Sequence, residues 1–159
     1  MGKYPVLCTL ACAMALLAGC SDPSTSDGAR NATPTLSVAG GESLDWSSLR
    51  GNWVLVNYWA EWCKPCLEEI PELNALDARD GVTVLAVNYD GVAGAELLEL
   101  GERMGIDFTM LDDNPAPVLG WDMPQGLPAT FLVAPDGALK DTLMGAQTEE
   151  ALLQQMGQD

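Results

Sequence analysis

Two largely apolar runs dominate the hydrophobic pattern of the chain beyond its N-terminal segment. They are Trp53–Trp59, in which Asn57 is the one polar residue, and Val82–Asn88. Runs of this length and composition are typical of strands buried on both faces of a sheet. Between them, residues 63–78 have a helical pattern, and Pro71 inside it predicts a kink.

Shorter elements flank these strands. The pattern predicts two β-hairpins, Thr35–Val38 with residues 42–44 and residues 130–134 with residues 138–144, each joined by a glycine-containing turn. Strands that alternate with helices and end in an antiparallel pair predict an α/β fold with a mixed central sheet, helices on both faces and an N-terminal β-hairpin extension. The remaining predicted elements are a helix at 93–104 burying Leu97, Leu98, Leu100 and Met104, a strand at 107–111, a short helix at 115–120 and a closing helix Glu149–Met156 with Thr148 as its N-cap.

The first residues have the pattern of an export signal. Lys3 is followed by an apolar stretch, residues 6–18, that is too short to span a bilayer comfortably. It ends in Leu17-Ala18-Gly19-Cys20, which resembles the bacterial lipobox, where the signal is cut before a cysteine that is then lipidated. An ordinary signal with a coincidental cysteine is the alternative. We expect a signal peptide at 1–19, a lipidated Cys20 with a flexible tether at 20–34, and one domain at 35–159.

Composition narrows the class of protein. The chain has 159 residues, is 48% hydrophobic and contains no histidine. Such a composition is typical of one globular domain. With 23 acidic against 7 basic residues, its net charge is −16, which argues against a nucleic-acid partner. The acidic surface is better explained as a solubilising one.

The cysteines at Cys63 and Cys66 are the pair left free once the signal is removed and Cys20 is lipidated. Three residues apart at the start of a helix, their sulfurs face the same side and can close a disulfide. The helix N-terminus carries partial positive charge, and Lys64 adds a second positive charge beside it. We therefore expect Cys63 to be the attacking thiolate and Cys66 the resolving cysteine.

Four motifs in order identify a family. They are residues 54–66 with the two cysteines, Glu69-Ile70-Pro71, Gly126-Leu127-Pro128 with the strand that follows, and Pro135-Asp136-Gly137. With them, the chain from about Thr35 to its C-terminus resembles the thioredoxin superfamily. Within it, the chain resembles the membrane-tethered extracytoplasmic thiol-disulfide oxidoreductases of the TlpA/ResA kind.

The resemblance implies an activity and a place in the cell. It implies a thioredoxin-like fold and a cofactor-free enzyme that exchanges protein thiols and disulfides, with Pro65 and the family favouring a reductase. A membrane or periplasmic thiol would supply its electrons. The protein would be a periplasmic monomer anchored through Cys20. If the host is Gram-negative, resemblance to the lipoproteins of such bacteria implies that Ser21 favours the outer membrane over the inner one. The alternative of another class is a binding or structural module with a non-catalytic disulfide.

The resemblance also implies a substrate-binding surface. Pro128 would be cis and lie beside the disulfide, so that the backbone of Leu127 presents a short edge to a substrate segment. Trp62, Lys64 and Pro65 would complete this surface around the first cysteine.

Proton transfer is where the chain departs from cytoplasmic thioredoxins. They carry a buried aspartate where this chain has Asn57. In the tethered family, a glutamate three residues after the second cysteine is functionally important, and Glu69 occupies that place. A partly desolvated carboxyl there would have a raised pKa and could shuttle a proton to or from Cys66. The alternative is that Glu69 is a solvated helix residue like Glu68 or Glu72.

Other cysteine chemistries fit less well. A zinc site or a copper carrier would need further ligands, and the chain has neither a second Cys-x-x-Cys pair nor a histidine. A peroxidase would need its reactive cysteine in a different loop, without a resolving partner three residues on. We therefore expect no metal.

Overall fold

The computed structural model describes residues 33–158 of the chain. The predicted signal peptide, Cys20 and nearly all of the tether lie outside the described residues and stay predictions. The strands are β1 (Thr35–Val38), β2 (Glu42–Asp45), β3 (Trp53–Trp59), β4 (Val82–Asn88), β5 (Thr109–Leu111), β6 (Ala129–Val133) and β7 (Leu139–Met144). They form one mixed sheet in the order β2-β1-β5-β4-β3-β6-β7. The predicted fold class and the N-terminal hairpin are confirmed.

The helices follow the expected order along the chain. They are a 3-10 helix at Trp46–Leu49, α1 (Lys64–Asp77), α2 (Gly94–Met104), α3 (Ala116–Leu119) and α4 (Glu149–Met156). The Thr148 side chain caps α4 as predicted, accepting a hydrogen bond from the Ala151 N–H at 3.2 Å. α1 is one continuous helix that includes Pro71. In the described part of the chain, none of the helices combines the length and apolar character needed to cross a membrane.

One predicted core residue is on the surface. Leu98 was expected to face inward, but its side chain is exposed, and the buried side of α2 consists of Leu97, Leu100 and Gly101. Residues 97, 100 and 101 share one helical face, whereas residue 98 is turned about 100° away from residue 97. Gly101 lets the helix approach β5 closely, because a β-carbon there would collide with the Met110 side chain.

The two predicted central strands pair in parallel at the middle of the sheet. Trp53 lies opposite Val82 and Trp59 opposite Asn88. Each of the two strands is hydrogen-bonded to a strand on either side, so neither has a free edge. Other side chains pack on both faces of the sheet. This explains why their sequences are almost continuously apolar.

The two faces of the sheet are covered differently. One face packs against α1, α2 and α4, and its core includes Leu55, Leu73 and Leu97. The other face is covered by the 3-10 helix and by Trp121, which stacks on Phe131 with 5.0 Å between ring centroids. The helices α1, α2 and α4 therefore lie on one face of the sheet. The two cysteines, at the start of α1, lie on that same face.

Strand pairing brings distant parts of the sequence to one edge. β3 and β6 are antiparallel, with Tyr58 opposite Ala129, so the end of β3 meets the start of β6. Cys63 follows β3 and Pro128 immediately precedes β6. The redox pair and the Leu127-Pro128 segment are consequently placed at the same end of the sheet.

Candidate active site

Cys63 and Cys66 form a disulfide at the start of α1. The S–S distance is 2.02 Å and the Cα–Cα distance is 5.3 Å, so the structure represents the oxidised form. Cys63 is the N-cap residue of the helix, and Cys66 lies in its first turn. Cys63 is 4% exposed and Cys66 is 0% exposed. Cys63 is therefore the slightly more accessible of the two cysteines, and its role as the attacking one stays a prediction.

Lys64 is not an isolated positive charge. Its Nζ lies 3.4 Å from Glu68 Oε1, with side chains 87% and 62% exposed. Water screens such a pair, and Glu68 offsets the charge of Lys64 as seen from Cys63. The N-terminus of α1, where Pro65 is also exposed, is the remaining source of positive potential at Cys63.

Glu69 is buried behind the disulfide. Its side chain is 1% exposed, so the alternative of a solvated surface residue is wrong. Oε1 accepts a hydrogen bond from Asn57 Nδ2 at 2.7 Å, and Oε2 accepts one from the Gln147 N–H at 2.8 Å. Burial raises the pKa of Glu69, and these two hydrogen bonds oppose the shift by stabilising the carboxylate.

Asn57 joins Glu69 to the neighbouring strand. It is buried, and its Nδ2 donates a second hydrogen bond to Thr130 Oγ1 at 3.0 Å. Asn57 and Thr130 are opposite each other in the β3–β6 register. Sequence reasoning missed Thr130, although a polar residue in each of two adjacent buried strands is a signal that they form a pair. It also missed Gln147, which contributes a backbone group and therefore leaves no side-chain signal.

Trp62 presents a large aromatic surface next to the disulfide. The side chain is 66% exposed, and its Nε1 donates a hydrogen bond to Asp90 Oδ2 at 2.8 Å. Asp90 follows β4, whose end lies beside the end of β3 in the parallel pair. Nothing in the sequence singles out Asp90 from the other acidic residues. The hydrogen bond holds the indole of Trp62 in one orientation at the rim of the site.

The segment before β6 forms the other side of the site. The Leu127–Pro128 peptide bond is cis, as the resemblance implied. Leu127 is half-buried and Pro128 is buried, and the Pro128 carbonyl accepts a hydrogen bond from the Gly145 N–H at 2.9 Å. The loop between β7 and α4 therefore supports this segment from behind.

The arrangement is suited to dithiol and disulfide chemistry. It combines a vicinal cysteine pair at a helix N-terminus with a buried carboxyl group on the next turn of the same helix. Across residues 33–158, no three histidine, cysteine, aspartate or glutamate side chains gather as a candidate metal site.

Several known proteins are similar to this chain in sequence and in fold. ResA, a thiol-disulfide oxidoreductase of Geobacillus kaustophilus, is 36% identical over 107 residues, which cover 65% of this chain and 61% of the relative. ResA of Bacillus subtilis is 29% identical over 156 residues, covering 92% of this chain and 86% of the relative. A structure described as a putative thiol:disulfide interchange protein DsbE from Chlorobium tepidum aligns with a TM-score of 0.63 and 27% identity, over 78% of this chain and 92% of the other.

The match to the Geobacillus ResA spans about three fifths of that relative's length. The sequence profile of the AhpC/TSA family matches residues 29–142, which include the disulfide, Glu69, Pro128 and strands β1 to β6. That range is well over half of the 159 residues. The predicted resemblance to ResA-like thioredoxin-fold proteins is thereby confirmed, and the chain belongs to the AhpC/TSA family.

Proposed function

We propose that this protein is a thiol-disulfide oxidoreductase that reduces protein disulfides in the cell envelope through Cys63 and Cys66. The observation that carries the proposal is the disulfide at the start of α1 with the Glu69 carboxyl buried one turn behind it. The ResA relatives are named for the same chemistry. Family membership alone would also admit a peroxidase, but a resolving cysteine three residues from the attacking one favours disulfide exchange.

The reduced form begins the reaction. The Cys63 thiolate attacks one sulfur of a substrate disulfide, a mixed disulfide forms, and the second substrate sulfur leaves as a thiolate. Cys66 then attacks Cys63 Sγ and releases the first substrate sulfur. Two electrons pass to the substrate, and the Cys63–Cys66 disulfide seen in the structure is the product.

Glu69 takes the proton that Cys66 must lose. Cys66 is fully buried, so bulk water cannot remove this proton directly. Glu69 lies one turn further along the same face of α1 and has a pKa raised by burial. The hydrogen bonds from Asn57 and the Gln147 N–H favour the carboxylate form, which is the form that accepts a proton.

Substrate contacts come from the exposed groups around Cys63. Trp62 offers an aromatic surface, Lys64 and Pro65 lie on the first turn of α1, and the Leu127-Pro128 segment faces them from the start of β6. An extended substrate segment pairs with the Leu127 backbone while its cysteine reaches Cys63.

The protein works at a membrane surface in this proposal. Cys20 carries a lipid, residues 21–34 form the tether, and the domain acts as a periplasmic monomer, with the outer membrane favoured and a membrane or periplasmic thiol as electron donor. Metabolic labelling with a fatty acid should mark the wild-type protein and not Cys20→Ser. A wild-type protein that takes up no label would contradict a lipid anchor at Cys20.

The redox potential tests the reductase assignment. Equilibration against a dithiothreitol or glutathione series should give a potential nearer to thioredoxin, about −270 mV, than to strong oxidants, about −120 mV. The reduced protein should also reduce an unfolded disulfide-containing protein, and Cys63→Ala should not. A disulfide that resists dithiothreitol and transfers no electrons would instead indicate a structural module.

A further inference from the structure

The loop between β7 and α4 connects the two halves of the candidate active site. The Gly145 N–H donates to the Pro128 carbonyl at 2.9 Å, and the Gln147 N–H donates to Glu69 Oε2 at 2.8 Å. One end of the loop thus holds the segment that would bind substrate. The other end holds the carboxyl that would accept the proton.

The loop is itself held in shape. Gln147 Nε2 donates to the Gly145 carbonyl at 2.8 Å, which closes the loop on itself. Gly145 has a φ of +86°, a conformation that other residues adopt only with strain. Immediately after the loop, Thr148 caps α4, and the Glu149 N–H donates to Glu72 Oε2 at 2.9 Å. The loop is therefore hydrogen-bonded to the residue before β6 and to α1, and it ends at the capped start of α4.

We propose that residues 145–147 are a positioning element of the redox site. They fix the Glu69 carboxyl group at a set place relative to the Leu127-Pro128 segment, and they favour its carboxylate form. The inference rests on the proposed function, because it assigns the loop a role in that reaction. It adds two backbone donors, at Gly145 and Gln147, that no side-chain pattern reveals.

The physical reason lies in which form of Glu69 the loop prefers. The Gln147 N–H can only donate, so it stabilises the carboxylate and not a carboxylic acid that points its proton at the same place. Asn57 donates to the other oxygen and supports the same form. Without the Gln147 N–H, one of the two hydrogen bonds that lower the pKa of Glu69 is lost. The effect of burial should then raise this pKa further.

The other charged groups near Glu69 are few. On α1, Cys66 precedes it by one turn and Glu72 follows it by one turn. From α4, Glu149 is paired with Arg79 through Oε1 and Nη1 at 2.8 Å. β3 and β6 present the uncharged side chains named above. Glu72 is consequently the group whose charge a control variant has to address.

The experiment compares Gln147→Pro with Gln147→Ala in the full-length oxidised protein. Proline removes the backbone N–H, whereas alanine keeps it and removes only the side chain. The titration of the Glu69 carboxyl, followed by its carbon-13 chemical shift, should move upward by about one pH unit in Q147P. In Q147A, which loses only the side-chain bond to the Gly145 carbonyl, the midpoint should move by clearly less. Equal midpoints in the two variants would overturn the proposal.

Activity gives the second readout. With the reduced proteins and an unfolded disulfide-containing substrate, Q147P should be about tenfold slower at neutral pH, and its pH profile should shift upward with the carboxyl titration. Glu72→Ala is the control for loosening of α4 and for loss of the neighbouring charge, because it loses the bond to the Glu149 N–H without touching Glu69. It should keep the wild-type pH profile, and a shift as large as that of Q147P would overturn the proposal.

A third measurement does not depend on folding of the proline variant. In the wild-type protein, the amide proton shifts of Gln147 and Gly145 should follow the titration of Glu69, and Glu69→Gln should abolish this dependence. An amide of Gln147 that ignores the Glu69 titration would overturn the positioning role. A wild-type protein that titrates as expected yet reduces no disulfide would instead overturn the proposed function.

Discussion

The outer and inner faces of α1 carry similar residues with opposite properties. On the outer face, Glu68 is 62% exposed and pairs with Lys64 across one turn. On the inner face, Glu69 is 1% exposed and accepts hydrogen bonds from Asn57 and the Gln147 N–H. The two carboxyl groups are adjacent in sequence, but one is solvated and the other lies in the core.

The difference teaches that position on the helix, and not residue type, decides the chemistry of this site. A solvated carboxylate keeps its ordinary behaviour and is screened from its neighbours. A buried carboxyl group has few polar neighbours, but each of them affects its pKa strongly because little water intervenes. The inner face is therefore where substitutions should alter the reaction, and the outer face is where they should not.

The largest expected effect comes from the two cysteines, which lie at different depths on α1. Cys63→Ala should abolish disulfide exchange, because the cysteine that remains within residues 33–158 is Cys66, which is fully buried. Cys66→Ala should keep the first attack and accumulate mixed disulfides, which can be counted by non-reducing electrophoresis and mass spectrometry. If Cys66→Ala accumulates nothing while Cys63→Ala does, the attacking and resolving roles are reversed.

The next effect compares the adjacent carboxyl groups directly. Glu69→Gln should slow exchange by roughly a hundredfold and change its pH profile, since it removes the proton acceptor for Cys66. Glu68→Gln, which is exposed, should stay within about twofold of wild type. Stopped-flow tryptophan fluorescence of the reduced proteins would measure both rates. Equal rates for the two variants would mean that burial of Glu69 has no catalytic consequence.

A second substitution can sharpen that result. Because Asn57 contacts Glu69 directly, adding Asn57→Asp to Glu69→Gln returns a carboxyl to the same buried place. The double variant should recover part of the lost rate. No recovery would show that the acceptor must lie on α1 and not on β3.

The third effect is on stability. Asn57→Leu leaves Glu69 Oε1 and Thr130 without a donor in the core and should lower the free energy of unfolding by about 1–3 kcal/mol. Asn52→Leu is the control, since its amide also bonds a threonine, Thr83, at 3.3 Å but in a half-buried place. It should change stability by about 0.5 kcal/mol or less. Urea denaturation of the oxidised proteins would distinguish them.

The pH dependence of stability should reflect the burial of Glu69 on the inner face. Burial raises the pKa of Glu69 in the folded protein above its unfolded value of about 4.3. Between those two values the folded state binds more protons, so this contribution to stability falls as the pH rises through that window. Glu69→Gln should flatten this part of the curve of melting temperature against pH.

Asp77 contributes to the same curve with the same sign. Burial raises its pKa as well, although the Val84 N–H donates to its Oδ1 at 2.7 Å. Asp77→Asn should therefore flatten the curve independently of Glu69. If neither Glu69→Gln nor Asp77→Asn flattens the curve, other groups in the molecule cause the pH dependence of stability.

The smallest expected effect is that of Lys64. The pKa of the Cys63 thiol in the reduced protein should lie below the free value of about 8.5, because Cys63 is the N-cap residue of α1. Lys64→Gln should raise it only slightly, since Lys64 is exposed and paired with Glu68. The alkylation rate against pH would report both. A large shift in Lys64→Gln would show that the outer face matters after all.

Much of the architecture could be predicted from the sequence. The apolar runs of β3 and β4, the glycine turns of the hairpins and the helical spacing of the cysteines are local patterns. Each reflects a physical requirement within a few residues, such as burial on both faces or a φ that only glycine adopts easily. Leu98 shows the limit, because a hydrophobic residue can stay on the surface when the helix turns another side inward.

The sequence by itself determined that two cysteines would meet at a helix start, and it indicated Glu69 through its spacing from Cys66. Only the tertiary structure decided that Glu69 is buried, that Asn57 and the Gln147 N–H donate to it, and that Asn57 also donates to Thr130. These partners come from β3, β6 and the loop before α4, up to 78 residues away along the chain. Hydrogen bonds of this kind depend on strand register and on backbone groups. A backbone N–H is the same in every residue but proline, so the sequence carries no record of where it will point.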